Sequence, residues 1–314
     1  MATVVVTDTG GLDFTDALSS LRSAGHQAML LDTVDHDRLL TEIPDCEAMI
    51  ISFARVDAEI LDRLPHLRVI ATTTTGSDTI DHEATQARGI EVRALPSPAS
   101  EEVAVHALAG ALSMIRELAT SHQVAAAGQE DFSQIPVPPR VSTLTLGVYG
   151  LGRIARNLVS FATPLFARVI AYDPFVAENW PAGVDRAGTP EELFAATDVL
   201  SLHAPATAET VGLVDAAALA LLRPGGYLVN VARGTLVVTD DLVAALDSGQ
   251  LAGAFLDVTD PEPLPADHPL CRHPRVLLSP HTAFRSDATL RAYAMLPVES
   301  VLTVLGTPAA AGGD

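Results

Sequence analysis

Gly147-Val148-Tyr149-Gly150-Leu151-Gly152-Arg153-Ile154-Ala155 is an apolar run that breaks into a glycine-rich turn and resumes as a helix-period segment through Phe161. Strand, tight turn and helix in that order form a dinucleotide fingerprint. Gly150 permits the turn, Gly152 lets backbone approach a pyrophosphate, and Ala155 takes the third position, where a small side chain lets the helix pack close to the strand. The first amides of the helix then face the phosphates. A lone match also describes a plain strand-turn-helix, so the neighbourhood matters. Asp173 ends the next apolar run, residues 169–172, 23 residues after Gly150. A carboxylate there receives ribose hydroxyls, and Asp173-Pro174-Phe175 offers a 2′-phosphate repulsion and no cation, which favours NAD over NADP.

Around this turn, short apolar runs alternate with helix-period segments along most of the 314 residues, the pattern of βαβ units on parallel sheets. Runs at 3–7, 28–31, 48–52, 68–72 and 90–93 predict a small five-stranded sheet, and runs at 144–149, 168–172, 199–202, 227–231, 254–258 and 275–279 predict a six-stranded, doubly wound one. Ser100 and Glu102 open a helix expected over 103–119, and 125–140, with Gly128, Pro136, Pro138 and Pro139, reads as a surface loop. The segment 287–305 has helix period but no strand to pair with in the second sheet, so it is expected to return to the first domain, with a frayed tail from Thr307. The expected fold is therefore α/β with two doubly wound parallel-sheet domains, 1–98 plus 285–314 and 99–284.

Composition excludes several classes. All 19 basic residues are Arg, so Schiff-base, pyridoxal-phosphate, P-loop and kinase lysine chemistry is absent. Against 39 acidic residues they leave a net charge of −20, which disfavours nucleic acid and anionic membrane surfaces as partners. Cys46 and Cys271 form no C-x-x-C, no metal site is drawn, and the start lacks a signal-peptide pattern, so a cytoplasmic location is expected.

In open α/β sheets ligands bind beyond the carboxyl ends of the strands. The second-half runs finish at Asp173, at His203, at Asn230 and Arg233, at Asp257, and at His281. A polar strand end is often only a turn residue, but five on one edge beside a dinucleotide turn predict a crevice. A histidine acting as an acid at neutral pH needs a carboxylate partner. Glu262, in Asp260-Pro261-Glu262-Pro263, lies on the loop edge adjoining His281. A solvated loop carboxylate at Glu262, a surface ion pair at Arg233 and hydrogen-bonded loop histidines remain open on these residues alone.

These segments resemble the D-isomer-specific 2-hydroxyacid dehydrogenase family: Gly150 to Arg156, Asp173-Pro174, Ser201-Leu202-His203-Ala204-Pro205, Asn230 to Gly234, Leu256-Asp257-Val258 with Glu262-Pro263, and Ser279-Pro280-His281-Thr282-Ala283. The resemblance implies a flavodoxin-like substrate domain and a Rossmann cofactor domain with a cleft between them, NAD as cofactor, a small 2-oxo or 2-hydroxy acid as substrate, and a homodimer formed through the cofactor domain. It makes Arg233, Glu262 and His281 the catalytic triad. It gives Gly150, Gly152, Arg153, Ile154, Asp173, His203, Pro205, Ala232 and Asp257 to the cofactor, Asp257 holding the nicotinamide carboxamide. It gives Thr74, Thr75 and Gly76, with Arg233, to the substrate; Phe53, close to this region, reads either as an apolar pocket wall or as a core position. Departures bear on the substrate: Thr74 replaces a frequent glycine, the frequent Ala-Glu-His reads Ala104-Val105-His106, and Ile51 stands where phosphoglycerate enzymes bind phosphate through Arg. An NAD-binding corepressor and a dehydrogenase of an unusual acid such as a phosphonate are the alternative readings.

Overall fold

The computed structural model describes residues 1–306; the tail from Thr307 lies outside the described residues. The chain divides into two compact units, one of Met1–Pro98 with the chain from Arg285 on, the other Ala99–Phe284.

In the first unit, β1 (Thr3–Val6), β2 (Gln27–Leu30), β3 (Ala48–Ile51), β4 (Val69–Thr72) and β5 (Glu91–Arg93) pair in parallel in the order β2-β1-β3-β4-β5, that of flavodoxin-like sheets. The central strands β3 and β4 are buried throughout because helices cover both faces, which is why they read as unbroken apolar runs. The crossovers are α1 (Thr15–Ser23), α2 (His36–Glu42), α3 (Ala58–Asp62) and α4 (His82–Ala87). Asp35, Asp57 and Asp81 cap the last three, each carboxylate accepting a first-turn amide.

The second unit opens with α5 (Ser100–Ile115) and α6 (Leu118–Ala126), and its strands are β6 (Thr145–Tyr149), β7 (Arg168–Tyr172), β8 (Val184–Arg186), β9 (Val199–Leu202), β10 (Gly226–Asn230), β11 (Leu251–Leu256) and β12 (Val276–Leu278). Its helices α7 (Arg153–Ala162), α8 (Pro190–Ala195), α9 (Ala216–Leu221) and α10 (Thr239–Ser248) connect β6 to β7, β8 to β9, β9 to β10 and β10 to β11. All pairings are parallel in the order β12-β11-β10-β9-β6-β7-β8, so β6 sits at the switch point of a doubly wound sheet. The last helix, α11 (Asp287–Leu305), belongs to the first unit. Ala294, Val298 and Val301 share its core with Val4, Val6, Ile50 and Ala71, so the apolar face of this helix is core surface.

Three sequence expectations need correction. The second sheet has seven strands: β8 is a three-residue edge strand with only Val184 buried, too short and polar to show an apolar run. The helix expected over 103–119 begins at Ser100 and breaks after Ile115, where Glu117 is left-handed (φ 53°) and α6 departs at 60°. The break falls where burial ends, Ile115 being fully buried and α6 having no buried residue. The stretch expected as a loop from 125 starts inside α6 and carries a short 3-10 turn, Phe132–Gln134.

Candidate active site

Gly150 takes φ +87°, and a Cβ there would lie 2.9 Å from both the Ala204 nitrogen and the His203 carbonyl carbon, so conformation and space both require glycine. Its amide donates to the Tyr172 carbonyl at 2.8 Å. Asp173 ties the turn to the end of β7: Oδ2 accepts the Leu151 amide at 2.7 Å and Oδ1 the Phe175 amide at 2.8 Å. Gly152 occupies the cap position of α7 with no side-chain hydrogen bond to the first turn and open space where its Cβ would be. Arg153 is exposed and Ile154 half-buried on that turn, while Ala155 is fully buried against the sheet. Open backbone, uncapped amides and a positive helix end suit a pyrophosphate, so these residues fit a dinucleotide.

His203 follows β9, and its imidazole is inward: Nε2 lies 2.8 Å from Ser201 Oγ, and buried Nδ1 has no hydrogen-bond partner. Burial pushes its pKa down to about 4, so this ring is neutral and cannot serve as the acid near pH 7. Ala204 is buried and Pro205 exposed beside it.

The adjacent strands β10, β11 and β12 end in Arg233, the Glu262 loop and His281. Buried Asn230 shapes the first turn, its amide donating to the Arg233 carbonyl at 2.9 Å and its oxygen accepting the Ala232 amide at 3.1 Å. Half-buried Ala232 offers its carbonyl to Arg233 Nη1 at 2.7 Å, and the rest of the guanidinium is exposed. The next residue, Gly234, packs directly on the following loop: a Cβ would fall 2.0 Å from the Thr259 carbonyl. That loop carries Glu262, whose Oε1 accepts from His281 Nδ1 at 2.6 Å. With Nδ1–H given to the carboxylate, Nε2 is the ring nitrogen left to meet a ligand.

His281 has φ +51°, a left-handed conformation that costs a non-glycine residue about 1–2 kcal/mol and persists only where surroundings enforce it. Asp257 enforces it. Its carbonyl accepts the His281 amide at 2.8 Å, Oδ1 accepts Ser279 Oγ at 2.6 Å and the Thr282 amide at 2.9 Å, and Oδ2 accepts the Ala283 amide at 3.0 Å. The residue is 2% exposed. Burial pushes its carboxyl pKa up, but hydrogen bonds from His106, Ser279 and the two amides outweigh burial and hold it below the ordinary value. In this structure both carboxylate oxygens are engaged in holding residues 279–283.

In the first unit Thr74, Thr75 and Gly76 follow β4. The Thr74 carbonyl accepts the Leu95 amide at 3.1 Å, and Thr74 Oγ1 donates to the Gly76 carbonyl at 2.6 Å. Phe53, beyond β3, is 61% exposed, which rules out a core position. Asp8, buried after β1, was missed by the sequence reading. Its carboxylate accepts the amides of Ser52, Phe53 and Ala54 at 3.1, 2.8 and 3.2 Å and thereby sets Phe53. The strand-end rule applied to the second half would have found it.

Residues 108–283 match the family described as D-isomer specific 2-hydroxyacid dehydrogenase, NAD binding domain. The chain belongs to this family. It is 36% identical over 275 residues to D-3-phosphoglycerate dehydrogenase of Mycobacterium leprae, covering 84% of this chain but 51% of the relative, so it spans about half that protein's length. It is 34% identical to (S)-sulfolactate dehydrogenase of Chromohalobacter salexigens, covering 91% of this chain and 93% of the relative. Among solved structures, the TT0316 protein from Thermus thermophilus superposes with a TM-score of 0.85 at 34% identity, covering 98% of each chain. The family's NAD-binding domain is therefore the part of this chain that carries the dinucleotide turn and the His281–Glu262 pair.

Proposed function

We propose that this dehydrogenase family member reduces a small 2-oxo acid to the D-2-hydroxy acid with NADH, and runs the reverse oxidation with NAD. The observation that carries the reading is the 2.6 Å His281–Glu262 pair on the same sheet edge as Arg233 and the dinucleotide turn. Bound NADH supplies the hydride that arrives at C2. Arg233 pairs with the substrate carboxylate and polarises the 2-oxo group through its planar fork. His281 gives the Nε2 proton to the oxygen, so that one hydride and one proton convert the carbonyl to a hydroxyl. Glu262 holds the ring and balances the imidazolium. Gly150, Gly152, Arg153, Ile154, Asp173, His203, Pro205, Ala232 and Asp257 are assigned to the cofactor, and Phe53, Thr74, Thr75 and Gly76 to the substrate.

The phosphate-binding arginine of phosphoglycerate enzymes has no counterpart, since Ile51 is fully buried at the end of β3, which favours an unphosphorylated acid. The proposal extends to a cytoplasmic homodimer. Leu118, Phe132 and Val137 are 55%, 83% and 94% exposed on the α6 segment and the chain after it, apolar side chains a second copy could cover, and both cysteines are free thiols. A panel of 2-oxo acids with NADH and NADPH, with chiral analysis of the product, tests the reading. At least one acid should give the D-isomer, with NADH favoured by about tenfold or more, roughly 1.4 kcal/mol. Preference for NADPH would remove Asp173 from its role.

A further inference from the structure

We propose that His106 is a positioning residue for His281, acting through Ser279 and the carboxylate of Asp257; this rests on the reading of His281 as the acid. His106 lies on α5, remote in sequence from the strand ends, and its ring packs on Phe255 of β11 with centroids 5.2 Å apart. Its Nε2 is 3.0 Å from Ser279 Oγ and 3.4 Å from Asp257 Oδ1. The single hydroxyl hydrogen of Ser279 goes to Asp257 at 2.6 Å, so Ser279 Oγ accepts from His106, and His106 carries its hydrogen on Nε2.

α5, β11 and β12 therefore converge on one buried carboxylate. Its remaining hydrogen bonds go to the amides of Thr282 and Ala283, directly after His281. Glu262 restrains the His281 ring from one side, and the His106–Ser279–Asp257 chain restrains its left-handed backbone from the other. Without the His106 donor, Ser279 is free to turn its hydroxyl away, and the carboxylate loses the partner that fixes Oδ1 toward the loop. The effect reaches the acid through position alone, since a small displacement of a reacting group is costly.

The test compares His106→Leu, which keeps bulk without a donor, with His106→Gln, which restores an N–H at similar reach. Hydrogen exchange at the Thr282 and Ala283 amides is measured alongside turnover and NADH titration. In His106→Leu both amides should exchange about tenfold or more faster. Its kcat should fall about tenfold, with KM for the oxo acid and NADH affinity changed less than about twofold, and Gln should recover both readouts. Unchanged exchange overturns the proposal, and a Gln variant as impaired as Leu assigns His106 to packing alone. Faster exchange with unchanged kcat also overturns the proposal, because the hold on the loop then does not reach the acid; turnover of His281→Asn tests the reading of His281 separately. If His106→Leu does not fold, Ser279→Ala breaks the same chain while leaving α5 intact; normal exchange at the two amides there also overturns the proposal.

Discussion

At the scale of single residues, Glu262 separates orientation from proton supply. Glu262→Gln keeps a hydrogen-bond acceptor for His281 Nδ1 but removes the paired charge. Turnover should then fall about tenfold or more, with NADH affinity near that of the parent; unchanged turnover would make Glu262 a loop carboxylate only. The placement of Gly150, Asp173, Arg233 and His281 at strand ends, with Glu262 on the neighbouring loop, was legible in the sequence because strand ends fall on one edge of a parallel sheet, whereas the triad roles of Arg233, Glu262 and His281 came only from the family resemblance. The work of Asp257 and His106 was not legible. It depends on a helix face meeting two strand ends, a juxtaposition that neither period nor spacing encodes.

At the scale of elements, apolar composition decided which strands the sequence revealed, whether a strand is buried throughout or, like β2 with its exposed Met29 and Leu30, lies at a sheet edge. The fully buried β3, β4, β6, β9 and β10 stand out as apolar runs, whereas edge strand β8 has one buried residue and was invisible. The end of β9 also carries a pH liability. His203 is held neutral to about pH 4, whereas the unfolded chain protonates near its ordinary value of 6.5. Stability from this group is thus complete above 6.5 and lost as pH falls from 6.5 toward 4, a total of about 3 kcal/mol. Urea unfolding at pH 7 and 4.5 should show a smaller acid loss for His203→Gln than for the parent chain. Equal losses would mean that the ring is not held neutral.

At the scale of the whole molecule, two parallel sheets follow from alternating strand and helix signals, whereas the strand orders do not, because alternation fixes neither the direction of each crossover nor the seventh strand of the second sheet. The charge balance makes its own demand: 39 carboxylates against 19 guanidinium groups repel one another, and salt screens the excess. Raising potassium chloride from about 0.05 to 1 M, which shortens the screening length from over 10 Å to about 3 Å, should raise Tm; a fall would show that surface ion pairs outweigh the net repulsion. Under the proposed function the substrate is itself an anion, and the exposed guanidinium of Arg233 is the group proposed to hold it. The most direct measurement is therefore turnover of the best 2-oxo acid by Arg233→Ala beside a fluorescence titration of NADH. Turnover should fall about 10² to 10³-fold, roughly 3 to 4 kcal/mol, with lysine a poor substitute and NADH binding retained. Turnover kept near the parent value, or NADH binding lost together with it, would contradict the account.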